Sequence, residues 1–214
     1  PRRATRAYWT ISVIVPAHNE SINIIESVLS VLQLRYPIFE VVVVNDGSSD
    51  DTLAILLERF RMRRTERGFD SHIPCKPILA VYESAEFPNL VAVDKRNGGK
   101  GDAQNAGINV SRYPLFCTID GDSLLEEDAL LRVARPFHDY PGQIVATGGT
   151  IRIANGSLVR AGRITDARLA HALLPRIQAV EYLRAFLFGR MGWSSFGGLL
   201  LISGAFGIFD KQVV

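Results

Sequence analysis

The chain is predicted to fold as an α/β domain in which a mostly parallel sheet carries helices on both faces. Three observations lead there. Apolar runs rich in Val and Ile end abruptly in polar, glycine-containing turns; a stretch with apolar residues at helical spacing follows most of those turns; and the unit recurs along the chain. With 214 residues, 47% hydrophobic and 21% charged, the chain has enough apolar material for one substantial core.

The elements follow in order. Residues 1–10, containing "PRRATR", form a basic flank, and 11–214 form the domain. Ile11 to Val15, apolar but for Ser12 and broken at Pro16, reads as a fully buried strand followed by the polar loop "PAHNE". Ser21 to Leu34 places Ile25, Val28, Leu29 and Leu32 on one helical stripe. Val41 to Val44 is the second strand, "NDGSSDD" its turn, and a helix starts near Thr52. Residues 61–75 read as a basic and polar connection, and Ile78 to Tyr82 and Leu90 to Val93 as strands. "NGGKGDAQNAGI" is a glycine-rich turn opening a helix near Asp102, and "PLFCTI" is the next buried strand. After "DGDS" an amphipathic helix runs to about Arg135, with Ser123 and Glu126 spaced as a capping box. Ile177, Val180, Glu181, Leu183, Arg184, Leu187 and Arg190 mix apolar and basic residues at helical spacing. Met191 to Phe209 carries no charge, but its scattered Gly and Ser make it a buried loop and strand rather than a membrane span.

Composition narrows the function classes. A net charge of +2 and a pI near 8.8 are too mild for a nucleic-acid partner. Cys75 and Cys117 have no metal-ligand spacing and form no disulfide framework, which suits a reducing compartment. No secretory signal or repeat is visible. A start at Pro and an end at "FDKQVV" read as a piece of a longer protein.

In α/β folds ligands bind beyond the carboxyl ends of the strands, and four polar loops, "PAHNE", "NDGSSDD", "DKRNGGK" and "DGDS", fall there. Asp120 and Asp122 are two apart, so in extended chain their carboxylates share a side about 6.5 Å apart. At that distance they repel by roughly 2.5 kcal/mol at an effective dielectric of about 20. A divalent cation such as Mg²⁺ or Mn²⁺ would offset this, with Gly121 letting the carboxylates converge; Asp-Gly-Asp-Ser is also good turn chemistry. "GGKGD" is neither a Walker loop, because Gly101 follows Lys100, nor a dinucleotide fingerprint, because Gln104 stands in the last glycine place. Lys100 remains as a cation at a helix start, able to meet a phosphate or a base carbonyl. Asp46 could form an Asx-turn or accept hydrogen bonds from a nucleoside; His18 is a weaker candidate than Glu20 or Asp46.

Taken together, "ISVIVPAHNE", "VVVVNDGSSDDT", "NGGKGDAQNAGI" and "CTIDGDS", in that order, resemble the family 2 glycosyltransferases of the GT-A fold. The later "IQAVEYLRAFLFGRMGWSSFGGLLLISGAFGIF" is similar to the processive, membrane-bound branch that includes poly-N-acetylglucosamine, hyaluronan and cellulose synthases. The resemblance implies inverting transfer of a sugar from a nucleotide-diphospho-sugar, such as UDP-N-acetylglucosamine, to a growing polysaccharide or other acceptor hydroxyl, with Mg²⁺ or Mn²⁺. It implies that Pro16, Asn19, Glu20, Asp46, Lys100 and Asp120 bind the nucleotide-sugar. Asp120 and Asp122 would hold the metal, and Gly204 would line the acceptor site. It also implies a domain on the cytoplasmic face of the cell membrane, attached through segments outside this sequence. One departure stands out: the family's downstream Asp base and Gln-x-x-Arg-Trp motif are absent, and Glu127 and Asp128 lie in the first helical turn after the metal motif. The base is therefore expected beyond Val214, and this piece is expected to bind donor without completing transfer. The alternatives are a sugar-1-phosphate nucleotidylyltransferase, whose glycine-rich, arginine-containing first loop "PAHNE" does not supply, and a non-catalytic nucleotide-sugar-binding module.

Overall fold

The computed structural model describes residues 8–121, 123–149, 157–160, 163–166, 173–184 and 206–214. Its centre is an eight-stranded sheet. Strands β1 (Ile11–Ala17), β2 (Phe39–Asp46), β5 (Leu90–Lys95) and β6 (Leu115–Ile119) run parallel, with β1 between β2 and β6 and β5 beyond β2. Their Val and Ile runs are apolar on both faces, which is what a strand covered from both sides requires. Val13, Val41 and Val42, for example, are wholly buried. The edges are antiparallel. β4 (Ile78–Ser84) pairs with β5, and β3 (Met62–Thr65) pairs with β4; on the other side β10 (Phe206–Asp210) joins β6 to β7 (Ala146–Gly148). A separate antiparallel pair is formed by β8 (Leu158–Arg160) and β9 (Arg163–Asp166).

Helices cover both faces as expected. α1 (Ile24–Leu32), α2 (Thr52–Arg59) and α4 (Ala129–Asp139) share one apolar core with Val13, Val15, Val41 and Val43. α3 (Lys100–Val110) lies on the other face, packing Ala103, Ala106 and Ile108 with Ile14, Val42 and Val44. The alternation of side chains along β2 therefore sends Val41 and Val43 to one core and Val42 and Val44 to the other. α5 (Leu173–Leu183) leaves Leu174, Ile177 and Val180 exposed. Among the described residues no helix is long and apolar enough to cross a membrane.

Three local expectations are corrected. The connection at 61–75 contains the edge strand β3, in which Arg63 and Arg64 point to solvent, a charged edge that discourages pairing with another chain. The Ser123–Glu126 capping box does not form: α4 begins at Ala129, preceded by Asp128 without a side-chain cap bond. Glu127 and Asp128 accordingly precede the helix rather than filling its first turn. The reason is tertiary, since Ser27 in α1 donates to the carbonyls of Gly121 (2.6 Å) and Ser123 (3.3 Å), and Arg35 pairs with Glu127 at 2.6 Å. Of the charge-free 191–209 stretch, Phe206–Phe209 lies in strand β10, as expected, and the rest is outside the described residues.

Candidate active site

The four polar loops meet at the carboxyl ends of β1, β2, β5 and β6. They enclose a cavity of about 520 Å³ lined by Pro16, His18, Glu20, Asp46, Lys100 and Asp120, with Asn97, Gly99 and Gly121 among its other walls. Each loop is set by contacts that follow from its sequence. Asn19 takes a left-handed φ of 56° and ties the first loop to the second: its Oδ1 accepts from the Ser49 amide at 2.8 Å, and its own amide donates to Ser48 Oγ at 3.0 Å. Asn19 is thus a loop tie and does not line the cavity. Asp50 reinforces the same junction by accepting from the Ser21 amide at 3.1 Å and from Thr52 Oγ1 at 2.5 Å. The Thr52 hydrogen bonds dominate, and with those from Ser21 they hold the Asp50 carboxyl down at about 2.

Gly121 has a packing role at the end of β1, while the convergence expected of the two carboxylates involves Asp122, outside the described residues. A Cβ there would lie 2.6 Å from the Pro16 carbonyl oxygen, so only glycine lets the loop after β6 lie flat on the end of β1. Asp120 and Lys100 then face each other across the cavity as an ion pair, with side chains 33% and 52% exposed, so both remain open to a ligand. Asp46 sits deeper, 3% exposed, with its carboxylate accepting from Lys95 Nζ (2.5 Å), Gly98 N (3.0 Å) and Gly99 N (2.7 Å). Its carbonyl accepts from Asn97 Nδ2 at 2.9 Å and lies 2.9 Å from His18 Nδ1.

Pro16, Glu20, Asp46, Lys100 and Asp120 are therefore brought together as the sequence suggested; Asp122 and Gly204 lie outside the described residues. Three contributors carried little signal. Asn97 lines the cavity, His18 does so although a lone histidine reads as structural, and Lys95 is a charged residue inside an apolar strand. That last anomaly was visible in "VAVDK" and is the one that could have been followed.

Among the described residues no three His, Cys, Asp or Glu side chains cluster as a closed metal site. Asp120 offers the cavity one hard carboxylate donor, incomplete by itself. It fits Mg²⁺ or Mn²⁺, which take one or two carboxylates and complete their shells with phosphate and water oxygens.

The sequence matches the family described as Glycosyl transferase family 2 over residues 12–73 and 74–193. The chain belongs to this glycosyltransferase family. It is 28% identical over 204 residues to a poly-beta-1,6-N-acetyl-D-glucosamine synthase of Staphylococcus epidermidis, covering 95% of this chain and 40% of that protein. A synthase of the same description from Staphylococcus aureus strain COL is 26% identical over 205 residues, again covering 95% and 40%. The chain thus spans about two fifths of the length of these relatives. In structure it resembles a mannosyltransferase of Pyrobaculum calidifontis, solved in complex with GDP-Man and Mn²⁺. The TM-score is 0.63 at 16% identity, over 97% of this chain and 46% of that one. The family 2 chain has the GT-A fold expected from its motifs.

Proposed function

We propose that this chain forms the donor-binding part of an inverting glycosyltransferase that takes a UDP-sugar, with UDP-N-acetylglucosamine as the donor and a growing polysaccharide as the acceptor. One observation carries the reading: four loops from four parallel strands converge on one cavity in which Lys100 and Asp120 face each other. The names of the Staphylococcus relatives support the choice of sugar and of a polymeric product.

In this reading the Lys100 ammonium meets the diphosphate, Asp120 contacts the ribose, and Asp120 with Asp122 would hold a divalent cation. Pro16 and Glu20 wall the nucleotide, while Asn19 keeps their loop in place. A Mg²⁺ or Mn²⁺ ion held there would supply Lewis-acid neutralisation of the charge that develops on the departing nucleoside diphosphate. A carboxylate base outside this sequence takes the proton of the acceptor hydroxyl as it attacks the anomeric carbon from the opposite side, which inverts that centre. In the same reading Gly204 belongs to the acceptor side, and this domain lies at the cytoplasmic face of the cell membrane, attached through segments outside this chain.

Calorimetry of the chain with UDP-N-acetylglucosamine and with GDP-mannose, each in Mn²⁺, tests the reading. Saturable binding of the UDP-sugar that UDP displaces, with GDP-mannose at least tenfold weaker, is expected. No binding of either would count against a donor site. Release of pyrophosphate from UTP and N-acetylglucosamine 1-phosphate would instead favour a nucleotidylyltransferase.

A further inference from the structure

We infer that Lys95, Asp46 and Asp102 form a buried positioning unit that holds the Asn97–Lys100 loop in the shape needed to present Lys100 to the donor diphosphate. The inference rests on the donor-site reading above and adds Lys95 and Asp102, which are outside the cavity lining, to Asp46, which is part of it. Lys95 ends β5 with its side chain wholly buried, a costly place for an ammonium unless its charge is paired and all its donors are used. They are used: Nζ lies 2.5 Å from Asp46 Oδ1, 2.5 Å from Asp102 Oδ1 and 2.6 Å from the Arg96 carbonyl oxygen.

The partners show what the unit is for. Asp46 comes from the end of β2, yet its carboxylate also accepts from the amides of Gly98 and Gly99. Asp102 belongs to the first turn of α3 and accepts from the Lys76 amide at 2.9 Å. Apart from that one, the side-chain hydrogen bonds and ion pairs of the unit all involve residues 95–102, the segment that carries Lys100. Gly98 is enclosed by it, since a Cβ there would lie 2.3 Å from Asp102 Oδ1. Burial alone would lower the Lys95 pKa, but the hydrogen bonds and charges of Asp102 and Asp46 outweigh it, and the net value lies above the ordinary one. Burial likewise works to raise the Asp102 value, and hydrogen bonds from Lys95 and the Lys76 amide bring it below the ordinary carboxylate range.

The arrangement also gives Asp46 a second reading. Three donors already surround its carboxylate, so the positioning role needs no rearrangement.

The experiment uses Lys95→Met, Asp102→Asn and Lys100→Ala, singly and with each of the first two combined with the third. Amide hydrogen exchange is read over 96–101 and UDP affinity in Mn²⁺ by calorimetry. Lys95→Met should speed exchange of the Gly98 and Gly99 amides about tenfold or more, and weaken UDP about tenfold in the parent but less than about twofold when Lys100 is already alanine. If Lys95→Met does not fold, Asp102→Asn, at the more exposed end of the unit, carries the same test with an expected loss of roughly threefold to fivefold. Unchanged loop exchange, or equal losses of UDP affinity with and without Lys100, would overturn the inference. A Lys100→Ala variant that binds UDP like the parent would remove the donor-site reading instead, and the exchange rates would still decide whether the unit holds the loop.

Discussion

Gly121→Ala puts a single methyl group where the backbone of two loops meets. The Cβ would stand 2.6 Å from the Pro16 carbonyl oxygen, whereas ordinary contact begins near 3.4 Å, so the loops must part by about 0.8 Å. The obstacle is main chain on both sides, and Ser27 holds the Gly121 carbonyl from beneath at 2.6 Å, so no side-chain rotation relieves the clash. Overpacking of this kind costs about 1–3 kcal/mol, which corresponds to a fall in melting temperature of roughly 2–12 °C for a domain of this size. Because Asp120 precedes Gly121, the same shift displaces a carboxylate from the cavity, and metal-assisted UDP affinity should fall with stability. Urea denaturation and calorimetry measure the two effects. Gly101→Ala is the control: nothing lies within 4 Å of its added Cβ, and it stands in the first turn of α3, so it should stabilise by about 0.5–1 kcal/mol. A Gly121→Ala protein as stable as the parent and unaltered in UDP affinity would refute the packing argument.

Other consequences concern the frame around the site. Arg67 is nearly buried against Glu40 at 2.9 Å, so Arg67→Met, which strands that carboxylate, should cost about 3–5 kcal/mol in urea denaturation; a loss below about 1 kcal/mol would show that Ser12 and the Arg112 amide suffice to hold Glu40. The Asp50 carboxyl lies below its ordinary value of 3.8, so its contribution to stability is complete above that pH and disappears as pH falls through about 2. The gap in stability between the parent and Asp50→Asn should therefore close over that window, and a gap that is constant from pH 5 to 2 would contradict the assigned bonds. The Cys117 thiol is wholly buried and its pKa is raised by that burial, whereas Cys75 is partly exposed. A thiol reagent at pH 8 should modify Cys75 in the folded protein and reach Cys117 only on unfolding; rapid labelling of both would argue against the placement of β6.

The parallel strands were legible because a strand buried on both faces is apolar nearly throughout: Val41–Val44 is so at every position and Ile11–Val15 at all but Ser12. The loops beyond them were legible because their Asp, Asn, Lys and Gly residues interrupt those runs at matching places. Met62–Thr65 was not, since its strand character comes from pairing with β4 rather than from any alternation of its own. Ser27 reads as an ordinary polar residue in α1, and its hold on Gly121 and Ser123 becomes visible only when α1 is laid against the end of β6. That hold also explains why a well-spaced Ser123–Glu126 pair failed to start a helix. Lys95 shows the same limit: its partner Asp46 belongs to another strand, and neither residue announces the other in sequence.

The central claim is that the cavity between Lys100 and Asp120 binds a nucleoside diphosphate with the help of a divalent cation. The most direct measurement is UDP affinity by calorimetry, with and without Mn²⁺, for the parent and for Asp122→Ala. The account predicts that Mn²⁺ tightens UDP binding by about tenfold or more in the parent, a coupling of about 1.4 kcal/mol, and that Asp122→Ala abolishes the gain while weak metal-free binding persists. An Asp122→Ala protein that keeps the full Mn²⁺ effect, or a parent that binds UDP equally with and without the ion, would contradict it.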